Sequence, residues 1–246
     1  DVVRAAKVME KQKWFALAEA YFAPIEDELL PEAQAVYLKV LFHQGQIARF
    51  KKFLDRTGGN LTDPTLEFYR RAYAMGWGSP AEAREAEEFL AARLDEPQNG
   101  ALAARVYLLA SAGTSNPAGY DRALRRLSRV NEAGVADFTR YWSLLARQGR
   151  QEEARRLAGS FTSSPNTPAE LIQLADAFYG LGEMEAVREV LRKFVPNFED
   201  EPEVWAYYAA FLQKTDDWEE LREAAFKIRE NKNLFAKLWA YSYFLE

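Results

Sequence analysis

Apolar residues recur along this chain with the period of a helix. Leu171, Leu174, Ala175 and Phe178 stand at i, i+3, i+4 and i+7. Trp205, Tyr208, Ala209 and Leu212 repeat the pattern, as do Phe138, Tyr141, Trp142 and Leu145. These offsets lay one stripe along a helix of 3.6 residues per turn. No useful stretch alternates apolar and polar residues with period two, so no strand is predicted. The helical phrases also echo one another: Val204–Leu212 reads VWAYYAAFL, and Leu238–Glu246, thirty-four residues on, reads LWAYSYFLE.

Proline and glycine mark the same period. Pro31, Pro64 and Pro97 are spaced by 33 and 33, and Pro168 and Pro202 by 34. The gap of 71 between Pro97 and Pro168 holds two repeats and a short insertion, GTSNPAG at Gly113–Gly119. Proline opens helices, since its missing N–H has no partner in the first turn. Gly45, Gly149 and Gly182 fall where a first helix should end, and glycine adopts the left-handed conformation there at little cost. Ser79-Pro80-Ala81-Glu82 and Thr167-Pro168-Ala169-Glu170 both spell a capping box. Each period therefore reads as proline, helix, tight turn, helix, loop.

The result is an all-α chain of about fifteen helices in seven antiparallel pairs. The expected units are 1–30, 31–63, 64–96, 97–134, 135–167, 168–201 and 202–235, with an unpaired final helix at 236–246. Between Asp63 and Gly119 two registers fit LEFYRRAYAM about equally. Such units cannot bury their apolar faces alone and cohere by stacking on neighbours. The last helix carries Leu238, Trp239, Tyr241, Tyr243, Phe244 and Leu245 with no second helix after it. Further chain or a partner is expected to cover it, the alternative being a short cap lying on Trp218 and Phe226.

A helix–turn–helix period of 34 residues resembles the tetratricopeptide repeat (TPR) family. That family's first-helix slots hold a large residue, a large–small pair and then an aromatic or Leu; Trp205, Tyr208-Ala209 and Leu212 match them, as do Leu171, Leu174-Ala175 and Phe178. Ala123 and Ala154 match the small residue of the second helix, which Val187 and Leu221 replace elsewhere. The resemblance covers nearly all of the chain and is strongest from Val135 onward. It implies a right-handed superhelical solenoid whose concave groove, lined by first helices, binds a protein or peptide segment. Carried over position by position, the groove would present Lys39, Phe42 and His43; then Thr139, Ser143 and Arg147; then Ile172, Asp176 and Tyr179; then Ala206, Ala210, Gln213 and Lys214. Members that clamp acidic chaperone tails use a Lys–Asn pair in adjacent repeats, and no such pair stands here.

Composition narrows the function classes. The chain has 246 residues, 48% hydrophobic and 28% charged, as in an ordinary folded protein. With 32 Lys and Arg against 37 Asp and Glu, its net charge of −5 lacks the basic footprint of a nucleic-acid binder. The arginines at 122, 125, 126 and 129, and at 147, 150, 155 and 156, alternate with acids, the mark of a solvated helix face. No nucleic acid is therefore expected as a partner, an RNA-binding helical repeat being the lesser alternative. No apolar run approaches the roughly 20 residues of a membrane span. Without cysteine the chain suits reducing and oxidising surroundings alike, so a cytoplasmic or a periplasmic setting fits. The absence of Met before Asp1 points to a processed or excised piece. A repeat region of a larger bacterial envelope or secretion protein is the second functional reading.

Catalytic chemistry finds little purchase. His43 is the only histidine, so any Ser–His–Asp arrangement would have to use it. A lone His without Cys is no metal site, and no metal or cofactor is expected. Gly58-Gly59 and Gly76/Gly78 lead to no Gly-Lys-Ser/Thr and read as helix ends. The acidic runs Glu26-Asp27-Glu28 and Glu199-Asp200-Glu201 fall in loops and read as solvated faces. Asn60-Leu61-Thr62 matches the glycosylation triplet, which acts only in a glycosylating compartment. The expectation is a scaffold without catalytic residues.

Overall fold

The computed structural model describes residues 2–57, 61–111 and 116–230. The proposed final helix 236–246, the glycines Gly58 and Gly59, Asn60, and the first part of the GTSNPAG insertion lie outside the described residues. The rest is all-helical, with no strand among the described residues. Fourteen α-helices pack in neighbouring pairs: α1 (Val2–Lys11) with α2 (Phe15–Phe22), α3 (Pro31–His43) with α4 (Ile47–Thr57), α5 (Leu66–Trp77) with α6 (Pro80–Arg93), and α7 (Gly100–Ala110) with α8 (Pro117–Arg129). The pairs continue with α9 (Val135–Arg147) and α10 (Gln151–Gly159), α11 (Pro168–Leu181) and α12 (Met184–Phe194), and α13 (Pro202–Lys214) and α14 (Trp218–Glu230). They fall in two compact units, Asp1–Asn131 and Glu132–Glu246.

The sequence punctuation works through local hydrogen bonds. Ser79 forms the full capping box: its Oγ accepts from the Glu82 N–H at 3.4 Å, and Glu82 Oε2 accepts from the Ser79 N–H at 2.8 Å. At Thr167 only half forms, because Glu170 Oε2 instead takes the Asn166 N–H one residue upstream. Pro31, Pro168 and Pro202 open their helices as expected; Pro64 and Pro97 do not. Asp63 Oδ1 accepts from the N–H and hydroxyl of Thr65, closing a turn around Pro64, so α5 begins only at Leu66. Gly45, Gly149 and Gly182 are left-handed as predicted, with φ of 67°, 76° and 78°. Lys13 and Asp216 take the same conformation, each at φ 56°, between α1 and α2 and between α13 and α14.

In the first unit, α3 touches α1 and α5, and α5 touches α7. Tyr37 of α3 meets Phe22 and Phe53 edge-on, and Phe42 meets Phe50, Tyr69 and Trp77 in the same way. In the second unit α11 touches α9 and α13. The second-helix positions Ala123, Ala154, Val187 and Leu221 are all buried, so they pack inward whether small or bulky.

The second unit is also locked by charge. Glu220 of α14 accepts two bonds from Arg192 of α12, at 2.8 and 2.6 Å, and one from the Tyr208 hydroxyl of α13. Arg192 above all, then Tyr208 and Arg188, outweigh burial and hold the Glu220 carboxyl down at about 2. Its folded pKa lies below the ordinary 4.5, so its stabilisation is complete above pH 4.5 and is lost as pH falls toward 2. Glu220→Gln should lower the urea midpoint of the second unit at pH 7 and narrow that gap at pH 2.5. An equal gap at both pH values would show that the carboxylate is not the lock.

Candidate functional site

The groove positions expected from the sequence fall into two groups of different character. In the first unit they are closed by internal bonds. Lys39 projects from the middle of α3 and is 6% exposed. Its ammonium pairs with Glu10 of α1 at 2.6 Å and with Asp63, before α5, at 2.8 Å. Burial opposes its charge, but the hydrogen bonds to Asp63 and Glu10 prevail and hold its pKa above the ordinary value. Asp63 answers in kind: burial works against its charge, yet Lys39 and Thr65 hold its pKa low. A single buried cation thus bridges the first helices of two pairs to the approach of a third.

His43, one turn further along α3, stacks on Phe15 with ring centroids 4.2 Å apart and planes 5° from parallel. Its Nε2 shares a hydrogen bond of 3.0 Å with the buried Tyr69 hydroxyl of α5. Burial, then the charges of Arg105, Lys13 and Lys39, push its pKa down to about 4, so the ring is neutral at pH 7. Phe42 is 2% exposed. It shares a helix register with Tyr179 of α11, but Phe50, Tyr69 and Trp77 enclose it and it belongs to the core. Lys39 and Phe42 are buried and His43 is half-buried, and each is already engaged within the first unit.

The second unit is different. Its first helices α9, α11 and α13 carry matching positions because they start about one period apart. Thr139, Ile172 and Ala206 share one position; Ser143, Asp176 and Ala210 the next; Arg147, Gly180 and Lys214 a third. Thr139 is buried, and its Oγ1 accepts a 2.9 Å bond from Gln173 of α11. Ser143, Arg147, Asp176, Tyr179, Ala210, Gln213 and Lys214 are exposed; Ile172 and Ala206 are half-buried. Rungs cross from α11 to α13: the Tyr207 hydroxyl donates to Asp176 Oδ1 at 2.5 Å, and the Lys214 ammonium lies 4.5 Å above the Tyr179 ring. Burial, then the bond to Asp176, raises the Tyr207 pKa, so its proton stays in place.

Sequence reading missed Tyr207, Gln173 and Arg140. Tyr207 lies inside the VWAYYAAFL phrase three residues before Ala210, and Gln173 lies three before Asp176, so a helical count along α13 and α11 places both on this face. Arg140 is exposed three residues before Ser143, on the same stripe of α9. Among the described residues no group of three or more His, Asp or Glu is placed to hold a metal ion. None of their helices is long and apolar enough to cross a membrane. No family model matches the chain, and no curated protein matches it.

Proposed function

We propose that the chain is a non-catalytic scaffold that holds a segment of another protein on the first-helix face of its repeats, in the manner of a TPR-like, right-handed superhelix. The observation that carries this reading is the face of α9, α11 and α13. There exposed polar and aromatic side chains stand beside contacts that tie neighbouring helices together, Gln173–Thr139, Tyr207–Asp176 and Lys214–Tyr179. Such rungs hold the face in one shape before any partner arrives, which lowers the entropy cost of binding. Tyr179, 37% exposed, supplies the rigid aromatic contact on which protein interfaces depend.

A photo-reactive residue placed at Gln213 should yield discrete protein adducts in cells, and adding Tyr179→Ala should weaken them. The same group at the exposed Arg156 of α10 should not yield those adducts. Identical products from both positions, or none from position 213, would defeat the proposal.

A further inference from the structure

One register position plays opposite parts in the two units. In α3 it is His43, half-buried, stacked on Phe15 and bonded to Tyr69. In α9, α11 and α13 it is Arg147, Gly180 and Lys214, all exposed. Gly180 sits inside α11, where a Cβ would meet nothing within 4 Å. Neither its packing nor a left-handed backbone requires glycine, and glycine weakens a helix. Its absent side chain leaves open floor between two cations.

The charge on this face leans positive. Arg140, Arg147 and Lys214 are exposed, and among the described residues none of them forms an ion pair. In the same unit Arg150, Arg155, Arg188 and Arg192 each hold a carboxylate. The acid midway on the face, Asp176, accepts the Tyr207 hydroxyl. Three cations thus stand against two carboxylates, Asp176 and the exposed Glu203 at the start of α13, and the end of the face that carries Arg147, Gly180 and Lys214 holds cations alone, on a chain whose net charge is −5.

We propose that this face selects an acidic, extended segment of a partner protein, with carboxylates reaching Arg147 and Lys214 and a small or apolar residue lying over Gly180 beside Tyr179. Packed helices stand about 8–10 Å apart, so Arg147 and Lys214, two spacings apart, are roughly 16–20 Å from one another. An extended chain advances about 3.3 Å per residue, which sets the acidic groups about five or six residues apart. The inference rests on the protein-binding reading above and adds the partner's chemistry to it.

The probe is a fluorescein-labelled peptide of Ser and Ala carrying two Glu-Glu pairs six residues apart, followed by anisotropy at low and physiological salt. Three controls accompany it: the same composition with the pairs adjacent, a Lys-for-Glu version, and an oligouridine of matching charge. The spaced acidic peptide should bind best, and more weakly as salt rises. Arg147→Glu with Lys214→Glu should reduce its affinity on the order of tenfold or more, and the milder Arg147→Gln with Lys214→Gln by less. Gly180→Leu should block binding while far-UV circular dichroism is unchanged. Absent binding, indifference to spacing or to charge reversal, or tighter binding of the RNA would each overturn the proposal. A protein captured by the photo-reactive group at position 213 through a segment without acids would overturn it too, while leaving the scaffold reading intact.

Discussion

Trp142→Ala is expected to cost about 3–5 kcal/mol of the second unit's stability, the range for deleting a large aromatic from a core. Trp142 is 1% exposed. Its ring meets Phe161, after α10, at 5.3 Å edge-on, and Phe178 of α11 at 5.5 Å. One side chain therefore joins one helix pair to the next, and a void there removes contacts from both. A domain holds only about 5–15 kcal/mol in all, so the loss should be visible in urea unfolding. Amide protection should fall together across α9, α10 and α11, because stacked repeats draw stability from their shared interfaces. Trp218→Ala is the matched control: that ring is 53% exposed, and its loss should shift stability by about 0.5 kcal/mol or less. Equal losses at the two tryptophans, or a cost below about 1 kcal/mol at Trp142, would show that it does not join the pairs.

His43 should titrate near pH 4, and stability should decline as the medium is acidified through the range above that value. The chain has no other histidine, so one imidazole resonance reports the site without assignment. The folded value of about 4 lies below the ordinary 6.5. The unfolded chain therefore gains its proton first, and the stability present above pH 6.5 is lost as pH falls from 6.5 toward 4. At about 1.4 kcal/mol per pH unit the full loss is about 3 kcal/mol. Phe15→Ala removes the stacked ring and admits water, and the midpoint should climb toward 6.5. Tyr69→Phe keeps the packing but deletes the hydroxyl, and should move it less, since burial is the larger cause. A wild-type midpoint at 6 or above would show that the ring is hydrated and that this face of α3 is open.

The pattern of apolar residues was enough to read helices, because a side chain's face in a helix follows from its position by counting. Leu171, Leu174, Ala175 and Phe178 are all buried, as their spacing requires. Caps and turns were legible where one residue carries the physics, as at Ser79 and the three left-handed glycines. The turns at Lys13 and Asp216 were not. There a non-glycine residue takes a left-handed backbone between two packed helices, and no glycine marks the spot. Pro64 misled because the Asp63 side chain builds a turn that delays the helix.

What the sequence determined by itself is the all-helical, paired and periodic character of the chain, since these follow from local spacing and local hydrogen bonds. It also marked which positions repeat from pair to pair. Only tertiary structure decided which of those positions are open. Lys39 and Ser143 share a register, as do His43 and Lys214 and Phe42 and Tyr179, yet the first of each pair is buried or half-buried and the second exposed. The difference lies in the neighbours: Glu10, Asp63, Phe15 and Tyr69 come from other helices and loops and consume the bonding capacity of α3. Exposure depends on what distant segments bring into contact, and no count along a single helix contains that information.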